Sequence, residues 1–242
     1  MDIKEKMIGS ETFTVKTCLI IYSGGTLGME PSSTGLEVGK TLLEDKMKRV
    51  KAFYDAKHSF WVGEKWMSTP IIDNSRVYYQ IIQYETLIDS CDMNYEKYRE
   101  MAKTIEDNYE KFDSFLIIHG TDTLEYTASI LSFMFENLDK TVILTGSQIP
   151  LSDQKNDAFT NLLGCFRVIS NFIIPEVCVY FRDCLHRGNR VKKVDSVNLN
   201  AFKSLSFPPL ATDHIELKVN WELILRRPWK TENFKIHYVI AR

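Results

Sequence analysis

"CLIIYSGGTLGM", residues 18–29, joins an apolar, β-branched run to two glycines and a threonine. A short apolar run bounded by glycine has the length and composition of a buried strand. Without Cβ atoms, Gly24 and Gly25 let the backbone turn sharply and bring N–H groups close to a bound group, as oxyanion donors do. The residue that leaves this turn carries a hydroxyl, Thr26.

The same order of events recurs along the chain. "SFLIIH" (114–119) runs into "HGTDT", "TVILTG" (141–146) into "TGSQIP", and "RVYYQIIQYETLI" (76–88) into "DSCDM" (89–93), while "EVCVYF" (176–181) is a fifth strand-like run. Between them Tyr95, Tyr98, Ala102, Ile105, Tyr109 and Phe112 keep helical steps of three and four, as do Leu124, Ala128, Leu131, Met134 and Phe135, and a further helix is expected over 158–171. Strands that are apolar along their whole length, alternating with amphipathic helices, predict an α/β fold with a doubly wound parallel sheet. Residues 30–75 are expected to contain a helix but show no clear docking face and read as an excursion between the first two strands. The stretch "KVNWELILRRPWKTENFKIHYVIAR" breaks the rhythm.

Ligands of open parallel sheets bind beyond the carboxyl ends of the strands. That rule puts Thr26, Ser90, Thr121, Asp122 and Ser147 on one rim. Three of these, and Lys193 with them, have a plainer reading: Thr26 and Thr121 as helix caps, Asp122 as a carboxylate on the N-terminal dipole of a helix over 123–137, and Lys193 as a solvated lysine in the basic run "HRGNRVKK". Only their convergence raises them to a site. Neither G-x-G-x-x-G nor G-x-x-x-x-G-K-[ST] is present, which removes the main warrant for a dinucleotide or a P-loop phosphate.

The 242 residues suffice for one large α/β domain. With 30 Lys and Arg against 32 Asp and Glu, a net charge of −2 offers no broad field for nucleic acid or an anionic membrane, so a small molecule is the expected partner. Five cysteines without a C-x-x-C pair suggest a reducing compartment. "MDIKEKMIGSETFTVK" lacks an apolar stretch of signal-peptide length, and no run approaches the roughly 18 apolar residues of a spanning helix. A cytoplasmic location is expected. The five histidines and the cysteines show no metal-ligand spacing, so neither metal nor other cofactor is expected; His119 reads as a buried, hydrogen-bonded neighbour.

In order from Lys16 to Ala211, "YSGGTLGM", "DSCDM", "IIHGTDTLEYTASILSFMFENLDKTVILTGSQIP", "NLLG", "RGNRVKKVD" and "FPPLA" resemble the bacterial-type L-asparaginases, in the cytosolic type I branch shared with animal asparaginase/lysophospholipase proteins. The resemblance implies hydrolysis of L-asparagine to aspartate and ammonia through an acyl-threonine. It implies Thr26 as nucleophile, with Thr121, Asp122 and Lys193 as the second catalytic group. The substrate pocket it implies is lined by Gly25, Asp89, Ser90, Cys91, Gly120, Thr121, Asp122 and Ser147.

Three positions depart from the family pattern. Cys91 stands where close relatives carry Ser, Lys192 where many carry Thr, and Leu36 where some carry a flexible-loop tyrosine. Family members have a second, smaller α/β domain and act as homo-oligomers in full-length form. The expected division is therefore 1–212 as the N-terminal domain and 213–242 as linker and truncated start of a second domain absent from this chain. The alternative reading is a catalytically inactive truncated isoform that binds full-length subunits. The fold resemblance extends to glutaminases and to amidotransferases acting on charged tRNA, and animal relatives are associated with lysophospholipid hydrolysis.

Overall fold

A computed structural model describes residues 13–33, 35–38, 41–229 and 232–238. Its centre is a sheet of ten strands: β1 (Thr14–Tyr22), β2 (Phe60–Val62), β3 (Glu64–Ser68), β4 (Ser75–Gln83), β5 (Ser114–Ile118), β6 (Thr141–Thr145), β7 (Val177–Phe181), β8 (Cys184–Arg187), β9 (Ala211–Asp213) and β10 (Leu217–Val219). They lie in the order β10-β9-β8-β7-β6-β5-β1-β4-β3-β2. The five central strands, β4-β1-β5-β6-β7, are parallel. From β1 the chain first adds β4 on one side and then crosses to β5 on the other, so the topological switch point lies between β1 and β5.

Alternate residues of these strands feed two apolar layers. Leu19, Ile21, Phe115, Ile117, Val142 and Leu144 pack with α2 (Tyr95–Asn108) and α3 (Leu124–Met134). Cys18, Ile20, Leu116, Ile118 and Ile143 pack with α1 (Leu43–Lys48) and α4 (Ala158–Asn171). Every one of those strand residues is at most 1% exposed. At about 1.5–3 kcal/mol for each large side chain buried, these layers hold the strand ends, and hence the rim loops, in register.

The sheet is mixed rather than wholly parallel. β3 runs antiparallel to β4 and β2 to β3, which turns part of the unassigned 30–75 excursion into two edge strands. At the other edge Arg182 and Asp183, with φ of 47° and 62°, form a two-residue hairpin turn from β7 into β8, and β9 and β10 follow antiparallel. No Asn-Gly or Asp-Gly marks that turn in the sequence.

Two element boundaries also differ from the sequence reading. The 76–88 run leaves the sheet at Gln83, because Tyr84 N bonds Tyr22 O and Ile88 N bonds Ser23 O, so the chain follows the rim instead of extending the strand. The helix expected over 123–137 stops at Met134; Phe135–Glu136 pair with Lys235–Ile236. The sheet and its edge strands run past residue 212 to Val219, and Phe234, Ile236 and Tyr238 pack against the α2–α3 layer. Residues 230–231 and 239–242 of the expected linker, and 1–12 at the other end, lie outside the described residues. Among the described residues no helix is long and apolar enough to cross a membrane.

Candidate active site

Four loops leave the carboxyl ends of β1, β4, β5 and β6 and close on one another through glycine. Gly24, at φ 134°, abuts Ile88 so tightly that a Cβ would lie 2.3 Å from the Ile88 carbonyl oxygen. Gly25, at φ 94°, presses on the next loop, and a Cβ there would lie 2.5 Å from Gly120 N. Gly120 faces Ser90, and Gly146 faces the His119 carbonyl and the Thr121 methyl. The residues that follow these glycines, Thr26 and Thr121, are thereby brought to adjoining loops.

Thr26 opens a single 3₁₀ turn, Thr26–Gly28, whose cap residue is Gly25. Its hydroxyl caps nothing and makes no hydrogen bond among the described residues, which removes the cap reading. Thr121, 7% exposed, is no cap either: its Oγ1 donates to Gln148 Oε1 at 3.2 Å and accepts from Lys193 Nζ at 2.8 Å. The same ammonium donates to Asp122 Oδ1 at 2.7 Å. Lys193 is 12% exposed and Asp122 58%, so this ion pair has one wall of protein and one open side. The plainer reading of Lys193 as a solvated lysine in a basic run does not hold: it is the inner member of a charged pair.

Asp89 Oδ1 accepts from Cys91 N at 3.1 Å and caps the short turn Ser90–Asp92. The Cys91 thiol lies 3.9 Å from Asp122 Oδ2 and is held above the usual thiol range by the Asp89 charge, with Asp122 adding to it. Asp89, Cys91 and Asp122 place ligand atoms within 4.8 Å of one another, all exposed, a patch of negative charge suited to a small cation or an ammonium group. Ser90 is 4% exposed, and its carbonyl accepts from Thr123 Oγ1 at 2.6 Å, tying the second loop to the third.

His119 is fully buried. Its Nδ1 contacts Gly120 O at 2.7 Å, so this nitrogen carries the proton, and Nε2 accepts from Thr127 Oγ1 at 3.0 Å. Burial pushes its pKa down to about 4 and keeps the ring neutral. The Ser147 hydroxyl is turned into its own loop, donating to Ile149 O at 2.7 Å, and the neighbouring Gln148 reaches Thr121 instead. Gln148 Nε2 donates to Ser196 O at 3.1 Å, which fixes the amide with its oxygen toward Thr121. Glu125, one helical turn after Asp122, accepts from the Lys193 backbone N–H. Nothing in the sequence marks Gln148 or Thr123, while for Glu125 the i, i+3 step from Asp122 is the available signal.

A family model described as "Asparaginase, N-terminal" matches residues 17–225. The chain belongs to the asparaginase family. It is 40% identical over 209 residues to the 60 kDa lysophospholipase of Homo sapiens, covering 85% of this chain and 36% of that protein. It is 37% identical over 203 residues to L-asparaginase 1 of Escherichia coli (strain K12), covering 84% and 55%. The crystal structure of L-asparaginase I from Vibrio cholerae superposes with a TM-score of 0.77 at 36% identity, over 93% of this chain and 61% of that one. The chain thus spans about a third to somewhat over half the length of these relatives. The mixed sheet with its parallel five-stranded centre matches the fold of the asparaginase N-terminal domain.

Proposed function

We propose that this asparaginase domain carries the nucleophile of an amidohydrolase that converts L-asparagine and water to L-aspartate and ammonia through an acyl ester on Thr26. The observation that carries the reading is the Lys193 ammonium bridging Thr121 Oγ1 and Asp122 Oδ1, beside a loop that presents a threonine hydroxyl with no bond of its own.

Attack of Thr26 Oγ1 on the side-chain amide carbon forms a C–O bond and breaks the C–N bond, releasing ammonia. The N–H groups of the glycine turn are suited to the oxygen charge that develops. Water, positioned by Thr121 with Lys193 beside it, then attacks the acyl carbon, and its proton passes to Thr26 Oγ1 as the ester C–O bond breaks, giving aspartate and the free threonine. Asp89, Cys91 and Asp122 suit the substrate's α-ammonium group. Among the described residues no side chain hydrogen-bonds Thr26 Oγ1, and its proton passes to the departing amide nitrogen, which leaves as ammonia.

Ammonia release from asparagine, with Thr26→Ala as control, tests this. Release that falls by about a thousandfold or more in the variant is expected, since removing a nucleophile leaves only binding and electrostatic effects. Equal release from both forms, or none from either, refutes it. Trp221, Leu225 and Trp229, 56%, 55% and 80% exposed, favour a second reading in which the chain docks on asparaginase subunits as an inactive partner. An acyl-threonine forms from a carboxylic ester as readily as from an amide, so a lysophospholipid is the second substrate to assay.

A further inference from the structure

The three carbonyls of the Thr26–Gly28 turn each have a partner, and one partner is of a different kind. Thr26 O accepts from Met29 N, and Leu27 O accepts from Leu151 N at 3.0 Å. Gly28 O accepts from the side-chain ammonium of Lys46, at 2.6 Å. Lys46 lies on α1, in the excursion, and is 5% exposed. Its other partner is Glu30 Oε1, at 3.0 Å, in the strand Met29–Ser32 of the hairpin that follows the turn.

An ammonium taken out of water is costly, and a neutral methionine or leucine would fill the same space without that cost. The helix that carries it has little room to shift. Leu43 and Met47 are buried at 1% and 0%, and Leu43 N donates to Gln83 Oε1 at 3.0 Å, at the end of β4. Gly28 is confined from the other side, for a Cβ on it would lie 1.9 Å from the Tyr22 hydroxyl oxygen. The turn is pinched between a buried tyrosine and a buried cation.

We infer that Lys46 is a positioning residue for Thr26: it fixes the last carbonyl of the nucleophile turn and, through Glu30, the entry to the following hairpin. It acts through the backbone and touches no reacting atom. The inference rests on Thr26 being the nucleophile, and its test has one arm that does not.

Lys46→Met keeps chain length and burial and removes the charge; Lys46→Gln, which keeps a donor, is the second variant if the first folds poorly. Lys48→Met, on the same helix, is the control. In the assembly in which the full chain hydrolyses asparagine, Lys46→Met lowers kcat about tenfold to a hundredfold with KM changed less than about threefold, the size of effect that a misplaced group produces. Lys48→Met leaves both unchanged. In the second arm, amide exchange at Met29, whose N–H closes the Thr26 turn, speeds at least about tenfold in Lys46→Met and not in Lys48→Met, on the scale of a lost local constraint. A lowered melting temperature with unchanged kcat per folded molecule and unchanged Met29 exchange overturns the inference. If the wild-type chain releases no ammonia, the hydrolase reading fails, and the exchange arm alone decides the role of Lys46.

Discussion

At the rim, Gly25 lies on Gly120 and Gly146 on His119 so closely that no Cβ fits, and backbone meets backbone. In residues 41–75 the contacts are made by side chains. Met47 and Phe53 are buried in one layer and Trp66 in the other, and Arg76, 3% exposed, reaches Asp55 at 2.9 Å, Ser68 Oγ at 3.1 Å and Thr69 O at 2.9 Å. The first kind of contact tolerates no added atom, and the second tolerates no lost one. A rim made of backbone leaves its few side chains, Thr26, Thr121 and Lys193, available for the proposed chemistry, whereas the excursion holds itself to the sheet through buried side chains such as Met47, Phe53 and Trp66.

The sharpest way to break this contrast is to add one methyl group to the rim. Gly25→Ala places a Cβ against Gly120 at a backbone angle that favours glycine, so a loss of about 4 kcal/mol or more in unfolding free energy is expected, together with loss of any amidase activity. Denaturant unfolding at wild-type levels would show that the loops part without cost. A deletion in the excursion should behave differently. Asp55→Ala leaves a buried guanidinium without its carboxylate and costs about 3 kcal/mol, while kcat per folded molecule stays as in wild type. A fall in kcat of tenfold would mean that the two regions are coupled more tightly than through Lys46 alone.

Acid separates them by the smallest effect. His119 has a folded pKa of about 4 against about 6.5 in an unfolded chain, so the unfolded state binds more protons between those values. Its contribution is present in full above about pH 6.5 and is lost as the pH falls toward 4, amounting to about 2 kcal/mol between pH 7 and pH 5. Asp55 is shifted in the same direction but from a lower starting value, held below the usual carboxylate range by its hydrogen bonds to Arg76 and His58 against the opposing effect of partial burial, so its contribution persists until more acid conditions. Comparing wild type with His119→Gln at the two pH values isolates the rim histidine. Parallel stability curves for the two proteins would remove it as the source of acid sensitivity.

Much of this division was legible beforehand, and the residues show why. Runs such as "TCLIIY" and "SFLIIH" are apolar throughout because both faces of a parallel strand are covered, and the glycines after them mark where backbones must approach. The excursion was not legible because its anchors, Met47, Phe53 and Trp66, stand at no fixed period. The hairpin at Arg182 and Asp183 lacked the usual turn residues, and the Ser147 hydroxyl, predicted for the pocket, is spent on Ile149 O.

By itself, then, the chain's spelling determined the order of the five parallel strands and of the longer helices between them, the rim to which the proposed function is assigned, and the family motifs around Thr26, Thr121, Asp122 and Lys193. These are local matters: periodicity, turn chemistry and spacing depend on neighbours in sequence. Only the folded structure decided that Lys193 is the inner member of an ion pair, that Gln148 and not Ser147 meets Thr121, and that Lys46 grips the turn of the proposed nucleophile. Such contacts join residues dozens of positions apart, and which polar atom finds which partner is settled by packing, where burial makes an unmatched donor or acceptor costly.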